Sequence, residues 1–139
     1  MRTVWDSYKR RYLMFGGQTT ETPFLNDFWT WSDERAWAEV LRAPVPTARN
    51  LYAMGFDPER RVAIIFGGET ESGPVDDLWL FHSEGEFWTS EVGVGDDLPV
   101  ERSSHDGVWV ASTSSFFVFG GNDGASDLND LWELAPSAT

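Results

Sequence analysis

The stretch Asp97-x-x-x-Glu101-x-x-x-His105 places two carboxylates and an imidazole at even spacing, the donor types of the facial triad that holds ferrous iron in non-haem enzymes. His82 is the one other histidine, so a zinc cluster cannot be assembled. Ser103 and Ser104 directly precede His105, but adjacency in sequence does not set a base on a nucleophile, and no Gly-x-Ser-x-Gly elbow occurs. The glycines come as doublets, with no Gly-x-Gly-x-x-Gly cradle for phosphate. The absence of cysteine removes a disulfide framework, a thiolate metal site and a cysteine nucleophile together. Arg49 and Arg102 can each clamp a carboxylate or phosphate through paired hydrogen bonds. Both stand at one position of a repeat, which favours a framework role through carboxylates such as Asp27 or Asp77. The series Asp27, Asp77 and Asp130 likewise reads as turn capping, there being no EF-hand spacing for calcium. The expectation is a chain without catalytic residues or cofactor, with Asp97, Glu101 and His105 as the alternative metal site.

The elements that position these residues are set by the repeat. Phe-Gly-Gly occurs at Phe15, Phe66 and Phe119, at intervals of 51 and 53 residues by the numbering. Each triplet ends a short apolar run (Tyr12 to Phe15, Val62 to Phe66, Phe116 to Phe119) rich in β-branched and aromatic residues, which reads as a strand buried on both faces. The glycine pair supplies a sharp exit from that strand. Asn26-Asp27-Phe28-Trp29, Asp76-Asp77-Leu78-Trp79 and Asn129-Asp130-Leu131-Trp132 then open a further strand in each copy. Trp37 and Trp88 open another, over Trp37 to Leu41 and Trp88 to Val92. Proline-bearing bridges, Pro46-Thr47-Ala48-Arg49 and Pro99-Val100-Glu101-Arg102, lead to Tyr52 to Phe56 and Asp106 to Val110. The unit is four short antiparallel strands, and the fold class is all-β.

Length and charge bound the rest. The chain has 139 residues, enough for one domain. Ten Lys and Arg against 23 Asp and Glu give a net charge of −13, a field that repels nucleic acid and anionic membranes. No apolar run spans a bilayer and the first residues carry Asp6, Lys9, Arg10 and Arg11, so no signal peptide is visible and a cytoplasmic location is favoured. The charge is uneven. Residues 1–61 carry nine basic and eight acidic groups, net +1, and residues 62–139 carry Arg102 against fifteen acidic groups, net −14.

The Phe-Gly-Gly strand end, the Asx-Asp-Leu/Phe-Trp opening, the fourth-strand Trp and the Pro-x-x-Arg-x-x-His/Tyr bridge (His105, with Tyr52 in its place) resemble the kelch repeat over nearly the whole chain. The resemblance implies β-propeller blades stacked face to face, with the first strand of each at the central axis. Blades over residues 1–45, 46–98 and 99–139 follow, the third lacking its outer strand and ending near Leu134. This is a half-propeller. Phe15, Phe66 and Phe119 are expected buried between blades, with Trp29, Trp79 and Trp132 in equivalent positions. Three blades do not close a ring, so the resemblance implies further blades of a longer protein or a two-fold homodimer closing six blades, the acidic half of each copy meeting the basic end of the other. It also implies ligand contacts on the loops after the glycine pairs and bridging arginines: Gln18, Thr20, Asn50, Leu51, Glu69, Glu71, Ser103, Ser104, Asn122 and Asp123. These differ between copies while the framework repeats, and their ligand is an unidentified protein, peptide or small molecule. Kelch specifier proteins use a carboxylate–carboxylate–His run for iron, which the Asp97, Glu101, His105 stretch resembles with its carboxylates exchanged.

Overall fold

The computed structural model describes residues 1–91 and 98–135. Among them there are thirteen strands and no helix. The first sheet is a meander of β1 (Arg2–Asp6), β2 (Arg11–Gly17), β3 (Leu25–Ser32) and β4 (Ala36–Glu39). The second contains β5 (Ala53–Asp57) and β6 (Val62–Phe66), then, beyond the small hairpin of β7 (Glu69–Thr70) and β8 (Gly73–Pro74), β9 (Leu78–His82) and β10 (Phe87–Glu91). The third has β11 (Asp106–Val110), β12 (Ser115–Asn122) and β13 (Asp127–Leu134), three strands among the described residues. All neighbours are antiparallel. The expected strand reach to Val92, and the tail Pro136 to Thr139, lie outside the described residues.

Local chemistry repeats with the strands. Asp6 Oδ1 accepts the N–H groups of Tyr8 and Lys9 at 3.1 Å, and Asp57 Oδ1 accepts those of Glu59 at 2.9 Å and Arg60 at 3.1 Å, so each carboxylate pins its hairpin. Residues just before the second strands, Arg10, Arg61 and Ser114, all take positive φ (54°, 60° and 49°), as right-twisted hairpins require. The glycine pairs answer a steric demand. A Cβ on Gly68 would stand 2.7 Å from the Asn50 carbonyl oxygen, and one on Gly67 2.8 Å from that of Arg102.

The sheets stack through opposite faces. Leu13, Phe15 and Phe28 of the first sheet pack on Met54, Phe56, Ala63, Ile65, Phe81 and Trp88 of the second. Edge-to-face rings fill the junction, Phe28 lying 4.5 Å from Phe81 and 5.0 Å from Trp88 between centroids, each such pair contributing about 0.5–1.5 kcal/mol beyond area burial. The other face of the second sheet, with Val62, Ile64 and Phe66, packs on Phe116, Val118, Trp109 and Leu134 of the third.

Among the described residues, two faces have no neighbouring sheet. On the first sheet the register pairs Trp5 with Tyr12, Tyr12 with Trp31 and Trp31 with Trp37, an aromatic row crossing all four strands. Trp5 and Tyr12 are 45% exposed and Trp37 53%. On the third sheet the open face carries Val108, Phe117, Phe119 and Leu131. Phe119 corrects the expectation. Phe15 and Phe66 are buried as expected, but Phe119 is 55% and Leu131 65% exposed, because the slot is buried only by a following sheet.

Candidate functional site

In a meander the loops joining second to third strands, and the bridges joining one sheet to the next, collect at one end. The proposed loop residues sit there. Asn50 and Glu69 exchange backbone hydrogen bonds of 3.0 and 2.8 Å, and Ser103 and Asn122 exchange two of 2.9 Å. Asn50 Nδ2 donates to Gln18 Oε1 at 2.8 Å and to the Pro23 carbonyl at 3.0 Å, tying the loop of one repeat to the bridge of the next. Ser104 N–H donates to the Leu51 carbonyl at 3.0 Å, linking the two bridges. Asn50 and Ser103 are buried, Leu51, Gln18, Thr20, Glu71 and Ser104 are exposed, and Glu69, Asn122 and Asp123 are half-buried. Leu51 and Ser104 hold positive φ of 54° and 59°, which costs about 1 kcal/mol per residue without glycine and fixes the bridge tightly.

This end is acidic. Glu21, Glu69, Glu71, Asp76, Glu101 and Asp123 have no ion pair among the described residues. Asp123 caps its own turn through the N–H groups of Ala125 at 2.9 Å and Ser126 at 2.8 Å, and the Ser126 and Ala125 backbone bonds hold its carboxyl below the ordinary range. A separate groove of about 600 Å³, lined by Lys9, Arg11, Arg35, Arg42 and Glu86 among others, lies away from the loop residues. Three of its charges are matched: Arg11 Nη1 stands 2.6 Å and Lys9 Nζ 3.2 Å from Glu86 Oε1, and Arg11 Nε stands 3.1 Å from Asp6 Oδ2.

Framework residues absorb the remaining candidates. Arg49 is fully buried and all five of its N–H groups are used: Nη1 and Nη2 reach Asp77 at 2.5 and 2.8 Å, Nη1 the Gly67 carbonyl at 2.9 Å, and Nε and Nη2 the carbonyl and hydroxyl of Thr47 at 3.0 and 2.9 Å. Arg102 repeats this on Asp130 at 2.7 and 2.8 Å and on the Gly120 carbonyl at 3.0 Å. Burial raises the Asp77 carboxyl, but the Arg49 hydrogen bonds bring it below the ordinary range, and those of Arg102 take Asp130 lower still. In each repeat the Trp two residues on donates its indole N–H to the same carboxylate, at 2.7 Å (Trp29 to Asp27), 2.8 Å (Trp79 to Asp77) and 2.6 Å (Trp132 to Asp130). The fixed Asp-x-Trp spacing is the signal in the sequence for this contact. Arg2 carried no such signal. Its Nε donates to the Tyr52 carbonyl at 2.8 Å and its Nη1 pairs with Asp106 at 3.0 Å, joining the starts of the three inner strands.

Tyr52 and His105 hook successive sheets together. The Tyr52 hydroxyl donates to the Phe15 carbonyl, and His105 Nε2 donates to the Phe66 carbonyl at 2.9 Å. His105 thus has its Nε2 committed to the Phe66 carbonyl and its buried Nδ1 without a hydrogen-bond partner, Glu101 is exposed, and Asp97 lies outside the described residues. Among the described residues no three His, Cys, Asp or Glu side chains converge. Burial pushes the His105 imidazole down to about 4, against the partial upward pull of the Phe66 carbonyl. Its folded value lies below the unfolded 6.5, so its contribution is complete above about pH 6.5 and is lost as pH falls toward 4. Moving from pH 7.5 to pH 5 is expected to remove about 2 kcal/mol of stability through this residue. Urea midpoints of wild type and His105→Gln at the two pH values check it; an equal loss in both would show that other groups carry the effect.

Comparison with known proteins adds three findings. Residues 2–139 match the KLHDC2/KLHL20/DRC7 Kelch-repeats domain. The chain is 31% identical over 117 residues to acyl-CoA-binding domain-containing protein 5 of Arabidopsis thaliana, covering 82% of this chain and 17% of that protein. It is 30% identical over 134 residues to the dynein alpha chain of the flagellar outer arm of Chlamydomonas reinhardtii, covering 89% of this chain and 3% of that one. The chain thus spans less than a fifth of either relative. No helix among the described residues is long and apolar enough to cross a membrane.

Proposed function

The chain belongs to the kelch-repeat family, whose domains are protein-interaction modules, and on that premise we propose that it is a non-catalytic binding module whose loop end takes a cationic peptide segment of a partner protein. The observation that carries this reading is the set of carboxylates without ion pairs around Glu69, Glu71 and Asp123, on loops held by a rigid stack of sheets. A lysine-rich decapeptide titrated by intrinsic tryptophan fluorescence is the probe. Glu69→Lys with Glu71→Lys is expected to weaken binding about tenfold at low salt and much less at high salt, while Glu34→Lys at the opposite end leaves it unchanged. Equal effects of the two sets, or no binding at low salt, would overturn the reading.

A second reading concerns ring completion. The open aromatic row of the first sheet and the open face with Phe119 and Leu131 on the third are opposite faces of the same kind of blade. A second copy supplies one of each, and the +1 and −14 halves favour head-to-tail stacking. In this reading two chains close a six-bladed ring and burial is shared at two identical junctions.

A further inference from the structure

Every repeat builds one acceptor set: a carboxylate at the start of the third strand, an indole N–H that fixes its Oδ2, and the carbonyl of the first glycine of the pair. In the second and third sheets this set holds Arg49 and Arg102. In the first sheet Asp27, Trp29 and Gly16 reproduce it. The indole bond is 2.7 Å, and the three glycines share one backbone conformation, with φ of 52°, 64° and 63° for Gly16, Gly67 and Gly120. Among the described residues no cation pairs with the half-buried Asp27.

We propose that Asp27 and the Gly16 carbonyl form a guanidinium site that takes an arginine from a bridge segment outside residues 1–139, of the Pro-x-x-Arg type that carries Arg49 and Arg102. The direction of approach follows from the filled copies. Arg49 reaches Asp77 from the segment that joins the first sheet to the second, so the arginine for Asp27 comes from a segment that leads into the first sheet from whatever covers its aromatic row. A second copy of residues 1–139 is not the source, because its own bridge arginines are buried on Asp77 and Asp130. The occupant is a further kelch blade. Two paired bonds to a carboxylate and a third to a carbonyl, as in the filled copies, suit the fork of a guanidinium and not an ammonium. The inference rests on kelch membership and is an alternative to closure by two copies, in which the partner's third sheet would cover the aromatic row.

The test reads the indole N–H signals of Trp29, Trp79 and Trp132 by ¹H–¹⁵N correlation, assigned through Trp→Phe variants of the full chain. The probe is a capped peptide copying residues 98–106, with versions carrying Lys or citrulline in place of its arginine. Addition to millimolar concentration is expected to shift the Trp29 indole saturably and leave Trp79 and Trp132 in place. The Lys version is expected to bind at least about fivefold more weakly. Asp27→Asn is expected to abolish the response while the Trp79 and Trp132 signals report an intact fold. No Trp29 shift, an equal response to the Lys and citrulline peptides, or an unchanged response in Asp27→Asn would each overturn the proposal. Light scattering on the same sample reports two-copy closure, and a closed dimer with its aromatic rows covered would also overturn the proposal.

Discussion

Phe66→Ala is expected to destabilise the chain by about 3–5 kcal/mol, and Phe119→Ala, in the same slot of the next repeat, by less than about 1. Phe66 lies 1% exposed between the second and third sheets, with the His105 ring 5.6 Å away and a core of Val62, Ile64 and Phe116 around it. Truncation there leaves a cavity that rigid strands on both sides cannot collapse. Phe119 has the same strand position but no sheet beyond it, so most of its ring is already in water. Urea unfolding of the two variants at low protein concentration is the measurement. Comparable losses would mean that the third sheet is covered in solution. If two copies close a ring, Phe119→Ala should instead lower the association seen by light scattering across concentrations, because its burial then belongs to the dimer.

Arg49→Ala is expected to be as damaging, about 3–5 kcal/mol. Removal of the guanidinium strands the buried Gly67 carbonyl and deprives Asp77 of its counter-charge. Asp77→Asn should cost about the same for the opposite reason, leaving a fully buried cation without an anion. The informative experiment is the double-mutant cycle with Arg49→Met and Asp77→Leu: the pair should lose clearly less than the sum of the singles. Strict additivity would show that the two residues act separately. Arg49→Lys should resemble Arg49→Ala more than wild type, since three ammonium protons cannot meet five planar acceptor directions.

Much of the fold is written in short spacings. The Phe-Gly-Gly period marks the strands, and the Trp two residues after each Asp marks a contact made within one strand, so both are legible locally. Other features depend on neighbours in space. Phe66 and Phe119 are the same residue in the same motif, and only the sheet stacked on one of them separates their fates. The pairing of Arg49 with Asp77 spans 28 residues; the recurrence of both residues in the repeat points to a framework tie, but the choice of Asp77 over Asp27 follows from the stacking of a bridge on a strand entrance. The loop end was legible as variable sequence on a repeating frame, but its charge is a sum over loops that become neighbours only when the sheets stack. Arg2 is the extreme case, a contact among three strand starts that meet only at the axis.

The burial of β5 and β6 along their whole length sets the middle sheet apart, since β2 and β12 are covered less evenly. Stacked repeats behave as a one-dimensional chain in which each unit is stabilised by its neighbours. The central unit has two and each outer unit has one. Opening fluctuations therefore begin at the outer sheets and move inward, and the middle sheet lets go only with the whole molecule. A blade docking on either outer face would damp those openings at the far end of the stack as well as at the contact. The kelch stack is in that sense a spring clamped at its centre, and a blade that docked would act on it by holding an end.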